Sequence, residues 1–542
     1  MNVEPLLDRD LDWCDCVFIS AMVVQQESFA EVVKRCKSKN ITIIAGGPYP
    51  TAYYKEIHDV DHLVLGEVEE FFADFLLAFE AGKAPSILKP PQTINALPKR
   101  PNMLNIPTPR YDLIKLRNYG SVALQFSRGC PYDCEFCDIT KLFGHIPRTK
   151  TNEQMIAELN ILYNCGWRRS VFLVDDNFIG HKKRVTDLLP CIISWQKAHR
   201  YPFSFYTEAS VDLADTPELM NAMADAGFDM VFLGLETPNT TVLKKVNKHH
   251  NIKKGNPDYL KEAVIKIQQH GMEVSAGFIL GLDGEDRNCF DSLLTFIKNS
   301  GIPTAMVGLL TALKDTKLYE RLKAQGRLVD ESNGNNVSLF LNYVPEMQSD
   351  ILISGYKRVM RSLYDDSLHN YFDRCYTLIK NWNRRHHCAR RIRITELVAV
   401  FKSLRLQLFS RQGPAYLKFL FRVIRSRPSM LAEAIRLAIM GYHYEKFTRE
   451  QHKADEFKCF LDKIFIRQQE LTKSLDQNRY NLTPYLHRRM GRIYKRYNSI
   501  DKEFHNTVNN SVVRLQKLIE FQLTECSKKQ AIRATSNQNN QN

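Results

Sequence analysis

Short apolar runs bounded by turn residues alternate with helically patterned stretches across residues 16–310. Near the N-terminus, Cys16–Ser20, Ile41–Ala45 and Asp61–Leu65 read as buried strands, and a helix is predicted over Gln26–Ser38. Six further strand-like runs follow: Val122–Phe126, Ser170–Val174, Phe203–Thr207, Met230–Leu235, Glu273–Leu280 and Thr304–Leu310. Helical patterns separate them, as at Asn152–Cys165, Lys183–His199, Pro217–Ala226, Pro257–His270 and Cys289–Ser300. Strands alternating with helices predict parallel sheets: a doubly wound domain first, then a barrel or partial barrel. In both architectures ligands collect at the carboxyl ends of the strands.

The stretches between and beyond set the expected domains. Residues 84–114 are proline-rich and read as an extended, semi-rigid linker between a domain at 1–83 and a core at 115–345. A helical, basic region is expected at 346–470, and a helical to disordered tail at 471–542. Asn381–Arg393 is a cationic cluster, and Ala415–Arg427 mixes apolar residues and arginines at helical spacing. Such helices either lie on an anionic membrane or show a solvated basic face.

Composition narrows the class. The chain has 542 residues, 44% hydrophobic and 25% charged, which is globular rather than disordered. Its net charge of +15 favours nucleic acid, an anionic surface or acidic substrates. No nucleic-acid module accompanies that charge, so nucleic-acid binding is not expected. Thirteen cysteines and an acidic start imply a reducing compartment. No run approaches the ~20 apolar residues of a membrane span, so the expected place is the cytoplasm, with peripheral contact at the inner membrane surface.

Chemistry concentrates in one loop. Cys130, Cys134 and Cys137 stand at C-x3-C-x2-C after the first core strand. Three thiolates on a short loop can bind one metal centre. A structural zinc site needs a fourth ligand, and none stands nearby at suitable spacing. Three ligands on a four-iron cluster leave one iron open. A zinc-bearing interaction or nucleic-acid-binding protein is the alternative of another class.

The wording S-R-G-C-P-Y-D-C-E-F-C-D at 127–138, with Phe136 as the aromatic residue, resembles the signature of the radical S-adenosylmethionine (SAM) enzymes. V-D-D-N-F at 174–178, T-E-A-S at 207–210 and G-L-L-T-A-L at 308–313 resemble the group that includes the hopanoid C-2 methylase. The resemblance implies a partial (β/α)6 barrel. It implies a [4Fe-4S] cluster on the three cysteines and SAM on the open iron. An electron donor such as ferredoxin or flavodoxin belongs to that chemistry. By position, Phe136 resembles a SAM-contacting residue, Asp176, Glu208 and Glu236 resemble residues at SAM's polar groups, and Gly277 and Gly281 resemble the adenine side. Asp175 competes with Asp176 for its role. His145, Arg148 and Lys150, just past the loop, either meet SAM's carboxylate or are solvated.

A-G-G-P-Y-P-T at 45–51 and V-D-H-L-V-L-G-E at 60–67 resemble the cobalamin-binding domain that precedes many such cores. That places Ser20, Gly46, Gly47 and Gly66 near a corrin. No D-x-H-x-x-G segment is present to supply a histidine below cobalt. The family has two more strands ahead of Cys16, so this domain is expected to be partial. At 314–315, Lys-Asp replaces the Pro-Gly common in the family's P-G-T-x-L-Y turn. The leading expectation is a cobalamin-dependent C-methyltransferase acting on an unactivated carbon of a small molecule or lipid. The alternative within the class is a radical SAM enzyme of rearrangement or ring formation.

Overall fold

The computed structural model describes residues 4–92, 98–335, 339–384, 394–474, 483–501, 504–505, 508–509, 511–522 and 524, with backbone alone at 394–399, 402, 471–474 and 483–487. Most of the cationic cluster at 381–393 and the tail beyond Ser527 lie outside those residues. The chain divides into two compact units, one of residues 1–363 and 369–437, the other of residues 364–368 and 438–542.

The first unit opens with a parallel sheet of β1 (Cys16–Ser20), β2 (Thr42–Gly46), β3 (His62–Val64) and β4 (Ile87–Leu88), in that order. The helix Gln26–Ser38 buries Phe29, Val33 and Cys36 against β2. β4 falls inside the proline-rich stretch, which is extended but not free. Its later part is packed, with Met103 and Tyr111 buried and the Tyr111 hydroxyl donating to the Ala123 carbonyl at 2.9 Å. Proline supplies extended backbone, and burial of these two side chains ties it down.

The second sheet holds β5 (Val122–Leu124), β8 (Ser170–Leu173), β9 (Ser204–Ala209), β10 (Phe228–Glu236), β11 (Glu273–Leu280) and β12 (Ala305–Leu309). Their spatial order follows the chain order, every pairing is parallel, and β5 and β12 do not pair with each other. This is a partial barrel of six units. Alternation puts Phe205, Thr207 and Ala209 of β9 in the buried layer and Ser204, Tyr206 and Glu208 on the half-buried face. The same half-buried face carries Phe172, Phe232, Gly234, Gly277 and Met306. Two short strands, β6 (Ser127–Arg128) and β7 (Arg148–Thr149), pair antiparallel beside it.

The helices Ser349–Leu363, His369–Asn381, Ile394–Leu408 and Gly413–Ser426 continue the first unit. The unit therefore runs past the boundary expected at 345. Arg374, 1% exposed, explains part of that continuity. Its guanidinium donates to the carbonyls of Ile302, Pro303 and Leu363. The first two sit where the chain leaves helix Cys289–Ser300 for β12, and the third ends helix Ser349–Leu363. The second unit has its own core, in which Ala454, Phe457 and Leu461 of helix Leu431–Ser474 meet Ile493, Val508, Val512 and Leu515. No helix of the described residues is long and apolar enough to cross a membrane.

Replacing Arg374 by Leu strands three inward carbonyls and should cost about 3 kcal/mol or more. Denaturant titration of the variant measures it; an unchanged midpoint would show that the helices hold the barrel without this contact.

Candidate active site

The three cysteines lie on an excursion between β6 and β7, closed at its neck by that antiparallel pair. Asp175, at the end of β8, roots it. Its Oδ1 accepts from the Phe126 amide at 2.8 Å, and its Oδ2 accepts from the Ser127 amide at 2.8 Å and the Ser127 hydroxyl at 2.6 Å. Asp175 is 1% exposed, and burial pushes its carboxyl up to about 7 despite those donors. Its neighbour Asp176 points elsewhere: Oδ2 accepts from the Gly129 amide at 3.0 Å. Asp175 is thus a structural clamp, and Asp176 remains on the loop's own side. Gly129 has φ +98°, and a Cβ there would come 2.9 Å from the Gly144 carbonyl oxygen. Only glycine lets the two limbs of the loop approach this closely.

The far side of the loop is pinned by residues distant in sequence. The Glu135 amide donates to the Val246 carbonyl at 3.0 Å, and the Leu318 amide donates to the Glu135 carbonyl at 2.9 Å. Asn247, itself at φ 58°, donates to the Asp133 carbonyl at 2.7 Å. Arg321 binds both Glu135 and Asp283. Phe136 packs among Val246, Leu318 and Tyr343. The turn before Leu318 is made without Pro-Gly: Asp315 takes φ 65°, and Thr316 caps the helix Lys317–Ala324, its hydroxyl accepting from the Tyr319 amide. A short polar side chain tolerates the left-handed region that glycine usually fills.

Burial raises all three thiols above the ordinary cysteine range, Cys137 to about 12. Bound iron would deprotonate them. A structural zinc site takes four protein ligands, whereas a four-iron cluster takes one thiolate on each of three irons, and a donor set of three cysteines suits the cluster.

The remaining carboxylates surround the rim. Burial raises Asp176 to about 6 and Glu208 to about 7, each further lifted by a neighbouring acid. Glu236 ends β10 at φ 62°, where the register against β11 slips. The bulge turns its carboxylate onto Lys248, Nζ to Oε1 at 2.5 Å, and both side chains are nearly buried. A Cβ on Gly234 would strike that pair at 2.6 and 2.8 Å, so the glycine makes its room. Burial pulls the Lys248 ammonium down, but Glu236 and Cys134 outweigh it and hold it above its ordinary value. Lys248 also stands 5.6 Å from the Phe136 ring centroid. Sequence reasoning missed it, because a lysine in a basic stretch carries no signal of burial. It missed the Tyr132–His250 stack too, with centroids 3.7 Å apart, where burial lowers the imidazole to about 3.

Gly277 lies beneath the Phe232 ring, which a Cβ would meet at 3.0 Å. Gly281, at φ +96°, is enclosed: its carbonyl accepts from the Tyr343 hydroxyl and its amide donates to Glu285. Arg148 and Lys150 are neither solvated nor free for a ligand. Lys150 is buried against Glu158 at 2.6 Å, and Arg148 pairs with Glu67 at 2.7 Å. His145 is exposed.

Ser20, Gly46, Gly47 and Gly66 all line one cavity of about 660 Å³ at the carboxyl ends of β1 to β3. Its opposite wall is Arg128, Lys141, Leu142 and Phe143, from the neck and limb of the cysteine loop. Gly47, at φ +90°, would place a Cβ 2.6 Å from the Ser20 hydroxyl, so the floor holds backbone and this small hydroxyl and has no room for a larger side chain. None of the described lining residues is histidine. Glu67 fixes the wall, binding Arg128 at 2.9 Å and Arg148 at 2.7 Å.

Fold and loop together point to an enzyme class: a six-unit partial barrel with a three-cysteine loop at its carboxyl rim. The sequence matches the radical SAM superfamily over residues 124–297 and a domain of unknown function, DUF4070, over 316–456. It is 38% identical over 473 residues to an uncharacterized methyltransferase of Synechocystis, covering 85% of each chain. It is 36% identical over 360 residues to the hopanoid C-2 methylase of Rhodopseudomonas palustris, covering 66% of this chain and 67% of that one. The fold matches the radical SAM methyltransferase TsrM of Kitasatospora setae with a TM-score of 0.52 at 13% identity, over 80% of this chain and 90% of that one. The chain belongs to the radical SAM superfamily, within its methyltransferase group. A [4Fe-4S] cluster and SAM are the cofactors of that superfamily.

Asp175→Ala should lower stability by roughly 3 kcal/mol and bound iron per chain, whereas Asp176→Ala, losing one amide contact, should cost about 1 kcal/mol. Iron assay and denaturation separate them. In cluster-free protein, Asp176 near 6 and Glu208 near 7 are raised from unfolded values of about 3.9 and 4.3. The folded state then holds protons that the unfolded state has released. Their stabilisation is full below pH ~4 and fades as pH rises towards ~7. Melting points across that range should show this slope, and Glu208→Gln should flatten it; equal slopes would refute the assignment.

Proposed function

We propose that the protein is a cobalamin-dependent methyltransferase that alkylates an unactivated carbon of an apolar, lipid-like substrate. The carrying observation is the shared wall. The cavity at Ser20, Gly46, Gly47 and Gly66 is closed by the same loop that bears Cys130, Cys134 and Cys137. A flat macrocycle seated there faces the cysteine loop, as methyl transfer beside a cluster requires. A floor of backbone and one small hydroxyl, with apolar flanks at Phe18, Ile44 and Phe72, suits such a ligand.

In this reading Cys130, Cys134 and Cys137 hold the cluster. When bound, the cluster and SAM supply the one-electron chemistry that removes hydrogen from an unactivated carbon, and cobalamin supplies the methyl carrier. Asp176 and Glu208 orient the cationic and hydroxyl groups of SAM, and Glu236 is fixed for the same task by Lys248. Gly277, on the adenine side by resemblance, gives its own side-chain space to the Phe232 ring, which then offers the flat face there. Gly281 keeps the loop after β11 in place through Tyr343. The half-buried barrel face, with Phe172, Tyr206 and Phe232 and the exposed Met306 at its edge, seats an apolar substrate. Phe172 and Tyr206 stack at 4.7 Å, which makes that surface continuous. An external one-electron donor such as ferredoxin or flavodoxin fits the chemistry, and the net charge of +15 favours an acidic one. The protein works in the cytoplasm and meets its lipid at the inner membrane surface.

Deuterated-methyl SAM tests the reading: label should arrive in the product as an intact methyl group. Turnover without label would favour rearrangement or ring formation instead. Cys130→Ala, Cys134→Ala or Cys137→Ala should each abolish cluster assembly and 5'-deoxyadenosine formation. SAM affinity should weaken about tenfold for each carboxyl that must give up its proton, as pH falls from 7.5 to 5.5. The sign follows because Asp176 and Glu208 attract a cation only when ionised. Calorimetric titration reads it, and a flat profile would remove both residues from the SAM site.

A further inference from the structure

Two helices of the first unit, Ile394–Leu408 and Gly413–Ser426, pack on each other, and neither is fully covered. The second helix is apolar on two sides. Tyr416, Phe419, Leu420 and Val423 face inward, with Phe419 stacked on Phe372 at 5.0 Å. Leu417, Phe421 and Ile424 recur at i, i+4 and i+7 on the other side and are 54%, 66% and 51% exposed. The first helix and its end add Phe401, Leu406 and Phe409 at 71%, 53% and 89%. Core packing explains the inner stripe and leaves the outer one without a purpose.

The charges among these side chains give the purpose. Between Glu396 and Glu433 there is no acidic residue, while seven lysines and arginines occur. Arg405, Lys418 and Arg425 are exposed beside the apolar stripe. Arg422 is turned inward, to Asp373 at 2.7 Å. Apolar side chains ringed by cations match a surface where anionic headgroups overlie hydrocarbon. A second copy fits poorly: a two-fold contact would set the cations against their own images. Nucleic acid fits less well: Phe401, Phe409 and Phe421 offer bases a stacking face, but the aliphatic Leu406, Leu417 and Ile424 among them do not.

We infer that this helix pair docks the enzyme on an anionic lipid bilayer, with Phe401, Leu406, Phe409, Leu417, Phe421 and Ile424 entering the headgroup boundary. The inference rests on the lipid reading above for its purpose, but vesicle binding can be read without turnover. Docking holds the enzyme where an apolar substrate is dissolved.

The test is flotation of the full, cluster-bearing chain with phosphatidylcholine vesicles and with vesicles also containing phosphatidylglycerol. The protein should float with the anionic vesicles at least about tenfold more than with neutral ones, and release at about 0.5 M salt, where screening shortens to a few Å. Leu417→Ser/Phe421→Ser/Ile424→Ser and, separately, Arg405→Glu/Lys418→Glu/Arg425→Glu should each cut flotation about tenfold. Phe409→Ser, at the most exposed position, should cut it severalfold. Cluster absorbance and SAM cleavage should stay as in the parent. Failure to float, equal flotation on both vesicles, or variants that float like the parent would overturn the proposal. So would a dimer in light scattering that the apolar variant disperses, or binding of a short RNA that only the charge variant loses. Flotation with no labelled methyl product would leave the docking surface standing and sink the methyl-transfer reading; labelled product without flotation would do the reverse.

Discussion

One buried carboxylate holds the reactive loop to the barrel. Asp175 takes two successive amides and a hydroxyl at the point where the chain leaves β5 for the cysteines. Such a group is costly to bury, and only its three donors justify its place. Because the donors are backbone amides of the loop's root, the contact fixes direction as well as position. The cysteines, the turn at Gly129 and the contact of Asp176 with that turn all inherit their geometry from it.

The same loop is the meeting point of two sheets. Glu67 follows β3 of the first sheet and grips Arg128 and Arg148, the two sides of the loop's neck. Nearly buried charge pairs of this kind add little net stability but penalise any other arrangement strongly. Their effect is registry: the carboxyl ends of β1 to β3 are held facing the outer limb of the loop, with the cavity between. On the inner side, Lys248 and Glu236 do the same for the barrel rim, using a strained backbone at Glu236 that the surrounding contacts maintain.

Much of this was legible beforehand. The six barrel runs fall on the observed strands within a few residues, and Gln26–Ser38 is a helix over the expected span. Strand periodicity is a local property, so it survives in the sequence. Asp175 and Asp176 could not be told apart there, since adjacent residues of one strand end differ only in which way the pleat sends them. Lys150 and Arg148 neither face a ligand nor meet solvent, and local sequence does not show it, because their partners Glu158 and Glu67 lie 8 and 81 residues away. Lys248 was invisible for the same reason.

By itself, then, the sequence determined the repeating strand–helix order, the cysteine loop at a strand's carboxyl end, and the glycines where backbone must come close. These depend on neighbours along the chain. Tertiary structure alone decided that Asp175 clamps the loop's root while Asp176 meets the Gly129 turn, how a turn forms at Asp315, that Ser20, Gly46, Gly47 and Gly66 share one cavity, and which side of helix Gly413–Ser426 stays exposed. Each of those depends on groups brought together across long separations, where burial and pairing rather than local preference set the free energy.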